Sequence, residues 1–214
     1  MSVPRKPRQE RGKDTVRRLM EAGRRVFSER GYHALHAGDI AAAAGVSVGS
    51  FYAYFADKRE LFLALLDEYT RDIRERQSAE FRAVSARTTA GDVTGALEKI
   101  IGVSLEAHKV SPGLLREFIR MSLYDEAVRE RLDHVDAGAR RGLEESLAAF
   151  IPGLGRRRVR EEAYVLFHAS EGVLHRLVLG GEGIEERRAV RALARMLAAY
   201  IEKLAGRRKA SLKR

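Results

Sequence analysis

The stretch Asp39-Ile-Ala-Ala-Ala-Ala-Gly45-Val-Ser-Val-Gly-Ser-Phe-Tyr-Ala-Tyr-Phe55 decides the fold, because its spacing is that of two short helices joined by a tight turn. Ile40, Ala44, Val46, Phe51 and Tyr54 supply apolar contacts between the helices, and Ala41 is small enough for close approach. Gly45 falls where the backbone needs a positive φ. Ser47 stands at an N-cap position, so the second helix is predicted to run from Ser47 to Phe55. Further on, Asp57 caps a following helix, Glu60 is its capping-box partner, and Lys58 places a cation in the first turn. Any small αα-hairpin fits the alanine run alone, but the residues after it narrow the reading to a DNA-binding helix-turn-helix.

From about Asp14 to Leu66 the chain resembles the DNA-binding domain of the tetracycline-repressor (TetR) family. The residues that carry the resemblance are Gly31-Tyr32, Asp39-Ile40-Ala41, Ala44-Gly45-Val46-Ser47, Gly49-Ser50-Phe51-Tyr52, Tyr54-Phe55 and Lys58. The resemblance implies that Val48, Gly49, Ser50 and Ala53 face the major groove, that Ser47 opens the recognition helix, that Tyr52 and Tyr54 hold phosphates, and that Lys58 clamps the backbone. Tyr54 also fits a core role by its spacing from Phe51. Where the family has Ser or Thr before the first helix of the pair, this chain has Leu35 and His36; His36 is either a substitute phosphate donor or a plain surface histidine. The span Ser47 to Phe55 contains no Lys, Arg, Asn or Gln, so bidentate readout of guanine or adenine is excluded there. Affinity should then rest on phosphates, and specificity on small contacts and DNA shape.

The 214 residues divide naturally into a small head and a larger body, with boundaries expected at 1–13 for a flexible basic arm, 14–56 for the DNA-binding domain, 57–206 for the body and 207–214 for a basic tail. The formal charge of +10 is concentrated at the ends: residues 1–18 hold Arg5, Lys6, Arg8, Arg11, Lys13, Arg17 and Arg18 against Glu10 and Asp14, and Arg207, Arg208, Lys209, Lys213 and Arg214 close the chain. The arm suits contact with the DNA backbone or an adjacent minor groove, whereas the tail also fits a solvated end. Cysteine is absent, which excludes disulfides and thiolate metal sites. The first residues lack the apolar core of a signal peptide, and the apolar run Ala163 to Leu179 is interrupted by His168, Glu171, His175 and Arg176. A cytoplasmic location without membrane contact is expected.

Apolar residues recur at helical spacing almost throughout, so the fold class is all-α. Helices are predicted from Asp14 to near Gly31, from Asp57 through Ile73, about Asp92 to Lys109, from Ser111-Pro112, about Asp125 to Phe150, about Val159 to Leu179, and Glu185 to Leu204. Val190, Leu193, Leu197, Tyr200 and Ile201 form a stripe on the last helix, and the helix before it carries the small residues Ala169 and Gly172. Pairing with a second copy would bury both helices, so they are expected to make a homodimer interface as a two-fold four-helix bundle, with an intramolecular core as the alternative. The resemblance implies the same dimer.

The family likeness also implies a body cavity for a small-molecule effector that couples to DNA release, and the candidate lining makes an apolar or aromatic effector the expectation. Phe62, Leu66, Tyr69, His108, Phe118, Met121, Tyr124 and Phe167 are its candidate lining. His168, Glu171 and His175, at i, i+3 and i+7, share one helix face where they could bind a divalent metal. A Glu171–His175 hydrogen bond or a polar network in the dimer interface accounts for the same spacing, and no metal or cofactor is expected. No nucleophile elbow, phosphate-cradling loop or zinc-protease motif is present, so an enzyme is not expected. The expected function is a sequence-specific transcriptional regulator, a repressor on a palindromic double-stranded DNA operator released by its effector. An effector-free or architectural DNA-binding protein is the alternative, and a metal-dependent enzyme using His168 and His175 a more distant one.

Overall fold

Helical periodicity in the sequence becomes nine α-helices among the described residues, which in this computed structural model are 8–87, 92–180 and 183–211, with side chains at 12–76, 92–180 and 183–206. They are α1 (Arg8–Arg30), α2 (Ala37–Ala44), α3 (Val48–Tyr52), α4 (Lys58–Arg87), α5 (Val93–His108), α6 (Pro112–Ser122), α7 (Glu126–Phe150), α8 (Arg156–Gly180) and α9 (Glu186–Ser211). Side-chain caps start several of them. Asp57 Oδ1 accepts from Glu60 N at 2.8 Å, Asp92 Oδ1 accepts from Gly95 N at 2.8 Å, and Asp125 Oδ1 accepts from Ala127 N at 3.0 Å. The Glu60 carboxylate reaches back to Ala56 N rather than to the cap residue itself, so the expected capping box is displaced by one position.

Two compact units result. The first holds the chain as far as Tyr69 together with Ser111–Arg131, and the second holds Thr70–Val110 and the chain from Leu132 onward. This moves the expected head boundary at residue 56: the start of α4, all of α6 and the first residues of α7 belong with the helix-turn-helix. The arm expected at 1–13 is helical from Arg8, and the tail expected from 207 is helical through Ser211. The side chains of Arg8, Arg11 and Arg207 and all of residues 1–7 lie outside the described part.

The first unit is built on aromatic rings. Phe27, Phe51, Phe62 and Phe118 are fully buried, with Leu19, Leu35, Ile40, Leu61, Leu65, Leu66 and Leu114. Phe62 lies edge-on to Phe27 at 5.1 Å and to Phe118 at 5.0 Å between centroids, and Tyr69 meets Phe118 at 5.4 Å. Five residues expected to line an effector cavity, Phe62, Leu66, Tyr69, Phe118 and Met121, are thus packed core of this unit. The reason is α6, whose glycine lets it sit tightly on α1: a Cβ at Gly113 would lie 2.7 Å from the Ser28 carbonyl oxygen. Tyr124, the sixth, is 77% exposed.

The second unit has an aliphatic core. Ile101 and Leu105 of α5 pack with Leu147 and Ile151, with Val159, Ala163, Leu166, Leu174 and Leu177 of α8, and with Val190, Leu193, Ala194, Leu197, Ile201 and Leu204 of α9. The stripe expected at a dimer interface, Val190, Leu193, Leu197 and Ile201, is therefore buried within one chain. Its partner is α5, an apolar helix long enough to cover it. The outward faces are different residues: Tyr164 and Val165 on α8 are each 57% exposed, and Met196 and Tyr200 on α9 are 56% and 41% exposed. Ala169 is half-buried on α8, and nothing lies within 4 Å of where a Cβ on Gly172 would be.

A candidate DNA-binding face and a polar cluster in the second unit

The turn of the helix-turn-helix is held from both sides. Gly45 adopts φ 64° and ψ 39°, while Gly45 N donates to Ala42 O and Val46 N to Ala41 O, each at 3.0 Å, which is the Schellman closure of a helix. Two arginines one heptad apart on α1 then occupy the carbonyl end of α2: Arg18 Nη2 donates to Gly45 O at 2.9 Å and Arg25 Nη2 to Ala43 O at 3.2 Å. Cations at a helix C-terminus meet both its orphan carbonyls and its dipole. Arg17 pairs with Asp14 at 2.6 Å and Glu21 at 2.9 Å. Two charges counted with a DNA-facing arm are thus engaged within the head; the Arg17 pairs follow from i,i+3 and i,i+4 spacing along α1.

Ser47 takes an extended conformation before α3, and its Oγ accepts from Ser50 N at 3.0 Å. The two hydroxyls lie 2.8 Å apart, so one donates to the other and one O–H stays free for an outside acceptor. The helix is shorter than expected, ending at Tyr52, with Ala53 at its C-cap. Phe51 and Phe55 point into the core, while Val48, Gly49, Tyr52, Ala53 and Tyr54 are exposed. Tyr54 is 42% exposed and not the buried inter-helix contact its spacing implied. Its hydroxyl lies beside α1, 3.2 Å from where a Cβ on Gly12 would be.

His36 precedes α2 with an exposed ring, and the His36 backbone N–H donates to Asp39 Oδ2 at 2.7 Å. Lys58 has more structural work than a free surface cation. Its Nζ donates to Leu35 O at 2.7 Å and Tyr32 O at 2.9 Å and sits 4.4 Å from the centre of the Tyr32 ring. Burial lowers its pKa, against a smaller opposing effect of Asp39. An ammonium has three protons, so one remains beyond the two carbonyls. The same loop is gripped by the buried Glu117 of α6, whose Oε2 accepts from Tyr32 N at 3.0 Å.

The second unit holds a different chemistry. His108 at the end of α5 places Nε2 3.4 Å from Glu171 Oε2, and His175 places its Nε2 3.2 Å from the same oxygen. The carboxylate's burial would raise its pKa, but hydrogen bonds from the two rings outweigh that and hold it at about 2. For His108 the balance is also upward: burial lowers its pKa, and the Glu171 and Ser104 contacts raise it further than that. Asp136 is pushed up, by burial first and by Glu171 second. His168, expected beside Glu171 and His175, faces elsewhere: Arg140 Nη1 donates to its Nε2 at 3.3 Å, and its ring lies tilted against Tyr164 and edge-on to Phe167. Helix spacing found two members of the cluster; His108 comes from another helix, which no local pattern could show.

An exposed short helix beyond a glycine turn, carried on a head with a separate helical body, defines a DNA-binding transcriptional regulator. Residues 19–65 match the family described as "Bacterial regulatory proteins, tetR family", and residues 94–201 match "Tetracyclin repressor-like, C-terminal domain". The chain belongs to the TetR family. It is similar to the HTH-type transcriptional regulator BetI of Escherichia coli strain K12, 27% identical over 182 residues, which cover 83% of this chain and 90% of BetI. Among solved structures, a transcriptional regulator from Rhodococcus sp. Rha1 aligns with a TM-score of 0.67 at 21% identity, covering 88% of this chain and 96% of that one. A regulator from Saccharomonospora viridis, solved in complex with choline, aligns with a TM-score of 0.66 at 18% identity over 89% and 96% of the two chains. Proteins of this family are non-enzymatic, bind DNA operators, dimerise and are typically repressors responsive to small molecules. No helix among the described residues is long and apolar enough to cross a membrane.

Proposed function

We propose that this regulator is a homodimeric repressor that binds a two-fold symmetric operator and leaves it when a small effector occupies the second unit. The observation that carries the operator reading is the exposure of Val48, Gly49 and Tyr52 on α3 and of Ala53 at its C-cap; in this reading Val48, Gly49, Ser50 and Ala53 meet base edges, while Tyr52, Tyr54, His36, Ser47 and the third proton of Lys58 meet phosphates. The dimer forms through the exposed faces of α8 and α9, with Tyr164, Val165, Met196 and Tyr200 at its centre and Ala169 and Gly172 allowing close approach. Two recognition helices then read successive major grooves about 34–36 Å apart. An effector acts by population shift, so it binds the operator-bound dimer less tightly by the factor with which it weakens DNA binding. Small-molecule complexes among the similar solved structures support an effector. The apolar or aromatic class expected for it loses its main support, because five of its eight lining residues are close-packed core.

The test is binding to an operator selected from genomic fragments, against random DNA at the same salt. A strong preference for the selected, two-fold symmetric site is expected, with Val48→Ala changing base preference and Tyr52→Phe weakening all sequences alike. Equal affinity for both DNAs would leave an architectural DNA-coating protein instead. Removing residues 1–7 should lower the log–log salt slope by about 0.9 for each phosphate no longer neutralised, and an unchanged slope would take the arm off the DNA.

A further inference from the structure

We propose that His108, Glu171 and His175 form a binding site for a first-row divalent transition cation of the zinc class, clamping α5 to α8. All three residues offer ligand atoms within 4.8 Å of one another. Both imidazole Nε2 atoms converge on one oxygen, Glu171 Oε2, at 3.4 and 3.2 Å. Metal–ligand bonds of about 2.0–2.1 Å at tetrahedral angles separate neighbouring donors by about 3.3 Å, so two edges of such a site are already at their bonded length.

The orientation of His108 is that of a ligand. Its Nδ1 lies 2.7 Å from Ser104 O, and a carbonyl can only accept, so that nitrogen carries the hydrogen. In the neutral ring the lone pair is then on Nε2, aimed at Glu171. Anchoring of the distal ring nitrogen by a backbone carbonyl is the usual outer-shell support of a metal-bound histidine. Lone pairs on a nitrogen and a carboxylate oxygen repel, and a cation between them removes that repulsion. A proton would do the same, and the experiment below separates the two.

Charge and donor type select the ion. Two neutral imidazoles with one carboxylate carry a single negative charge, which a divalent cation overcompensates. Imidazole donors suit zinc, copper, nickel and cobalt, whereas magnesium and calcium take oxygen sets. The Glu171 and His175 side chains are 17% and 33% exposed, which gives an ion a route in from solvent. Three protein ligands leave a fourth position for water or an exchangeable molecule. His168 is outside the set because Arg140 holds it.

Metal uptake is read without DNA, so this site and the repressor reading fail separately. Chelator-stripped full-length protein is titrated with Zn(II) by calorimetry and with Co(II) by visible absorption. Wild type should take up a single ion per chain and show the intense d–d bands of tetrahedral cobalt, with a thermal midpoint raised by the metal. Glu171→Gln and His175→Ala should each weaken uptake at least about 100-fold, while His168→Ala should bind as wild type does. His175→Ala keeps the test decisive if Glu171→Gln does not fold, since His175 is the most exposed of the three. Uptake no tighter than millimolar, equal uptake by His175→Ala, or loss of uptake in His168→Ala would overturn the site and leave a protonated His–Glu–His ion pair.

Discussion

The two units bury different chemistry. The first closes on Phe27, Phe51, Phe62 and Phe118 and commits its buried carboxylate, Glu117, to a backbone N–H, whereas the second closes on Leu, Ile, Val and Ala and keeps a carboxylate between two imidazoles. A surface that reads a large polyanion needs a rigid support behind exposed side chains, and stacked rings supply one. Recognition of something small needs polar groups already withdrawn from water, where their interactions are less screened. On the proposed reading, the head acts through its outer face and the body through a polar cluster set within it.

The contrast is broken most severely from the body's core. Leu197→Glu places an unpaired carboxylate among Leu193, Leu174 and Ile201, and should cost several kcal/mol and unfold the second unit. Met196→Glu, one residue away on the exposed face, should change folding stability by no more than about 0.5 kcal/mol yet weaken dimerisation. Circular dichroism and sedimentation on both proteins decide the matter. A folded Leu197→Glu monomer would return the stripe to the dimer interface.

In the head, Phe62→Ala should cost about 3–5 kcal/mol in denaturant unfolding and take operator binding down with it. Loss of effector binding at unchanged stability would instead make Phe62 the wall of a cavity. Lys58→Met removes two hydrogen bonds from partly buried carbonyls and should destabilise the head by about 1–3 kcal/mol, beyond any weakening of its hold on phosphate. Unchanged stability with weakened DNA binding would assign Lys58 to phosphate alone.

The smallest effect sharpens the contrast at the edge of the head. Asp125 caps α7 and accepts from Arg59 Nε and Nη2, and the Arg59 hydrogen bonds hold its pKa below the usual value. A depressed carboxylate stabilises the fold above the unfolded value of about 3.9, and that stability fades as pH falls through the lower folded value. Arg59 is 46% exposed, so solvent screening limits the contribution to about 1 kcal/mol or less. Wild type and Asp125→Asn should differ at neutral pH and converge in acid, and a constant gap across that range would mean that the ion pair adds nothing to stability.

What could be read in the sequence follows from the range of the interactions. The turn at Gly45, the Ser47, Asp57 and Asp92 caps, and the ends of α5 to α8 are fixed within a few residues, and the residue order displays them. The partner of the α9 stripe is not local: α5 precedes it with α6, α7 and α8 between, and an apolar stripe looks the same whether its cover is the same chain or another. The same limit hid His108 from Glu171 and Arg18 from Gly45. Aromatic residues on α4 and α6 misled for a related reason, since a ring that fills a core and a ring that lines a cavity share one helical spacing.

The cap at Ser47 has an evolutionary consequence. Folding of the short α3 is secured by the Ser47 hydroxyl, the Gly45 turn braced by Arg18, and the inward rings of Phe51 and Phe55. The exposed positions 48, 49 and 53 contribute no cap to it, and the cap's bond from position 50 is a backbone N–H, which any residue but proline provides. On the proposed operator reading, a lineage can therefore exchange residues that meet DNA without first rebuilding the helix that carries them. New operators become reachable by single substitutions, each tested by selection on a head that still folds.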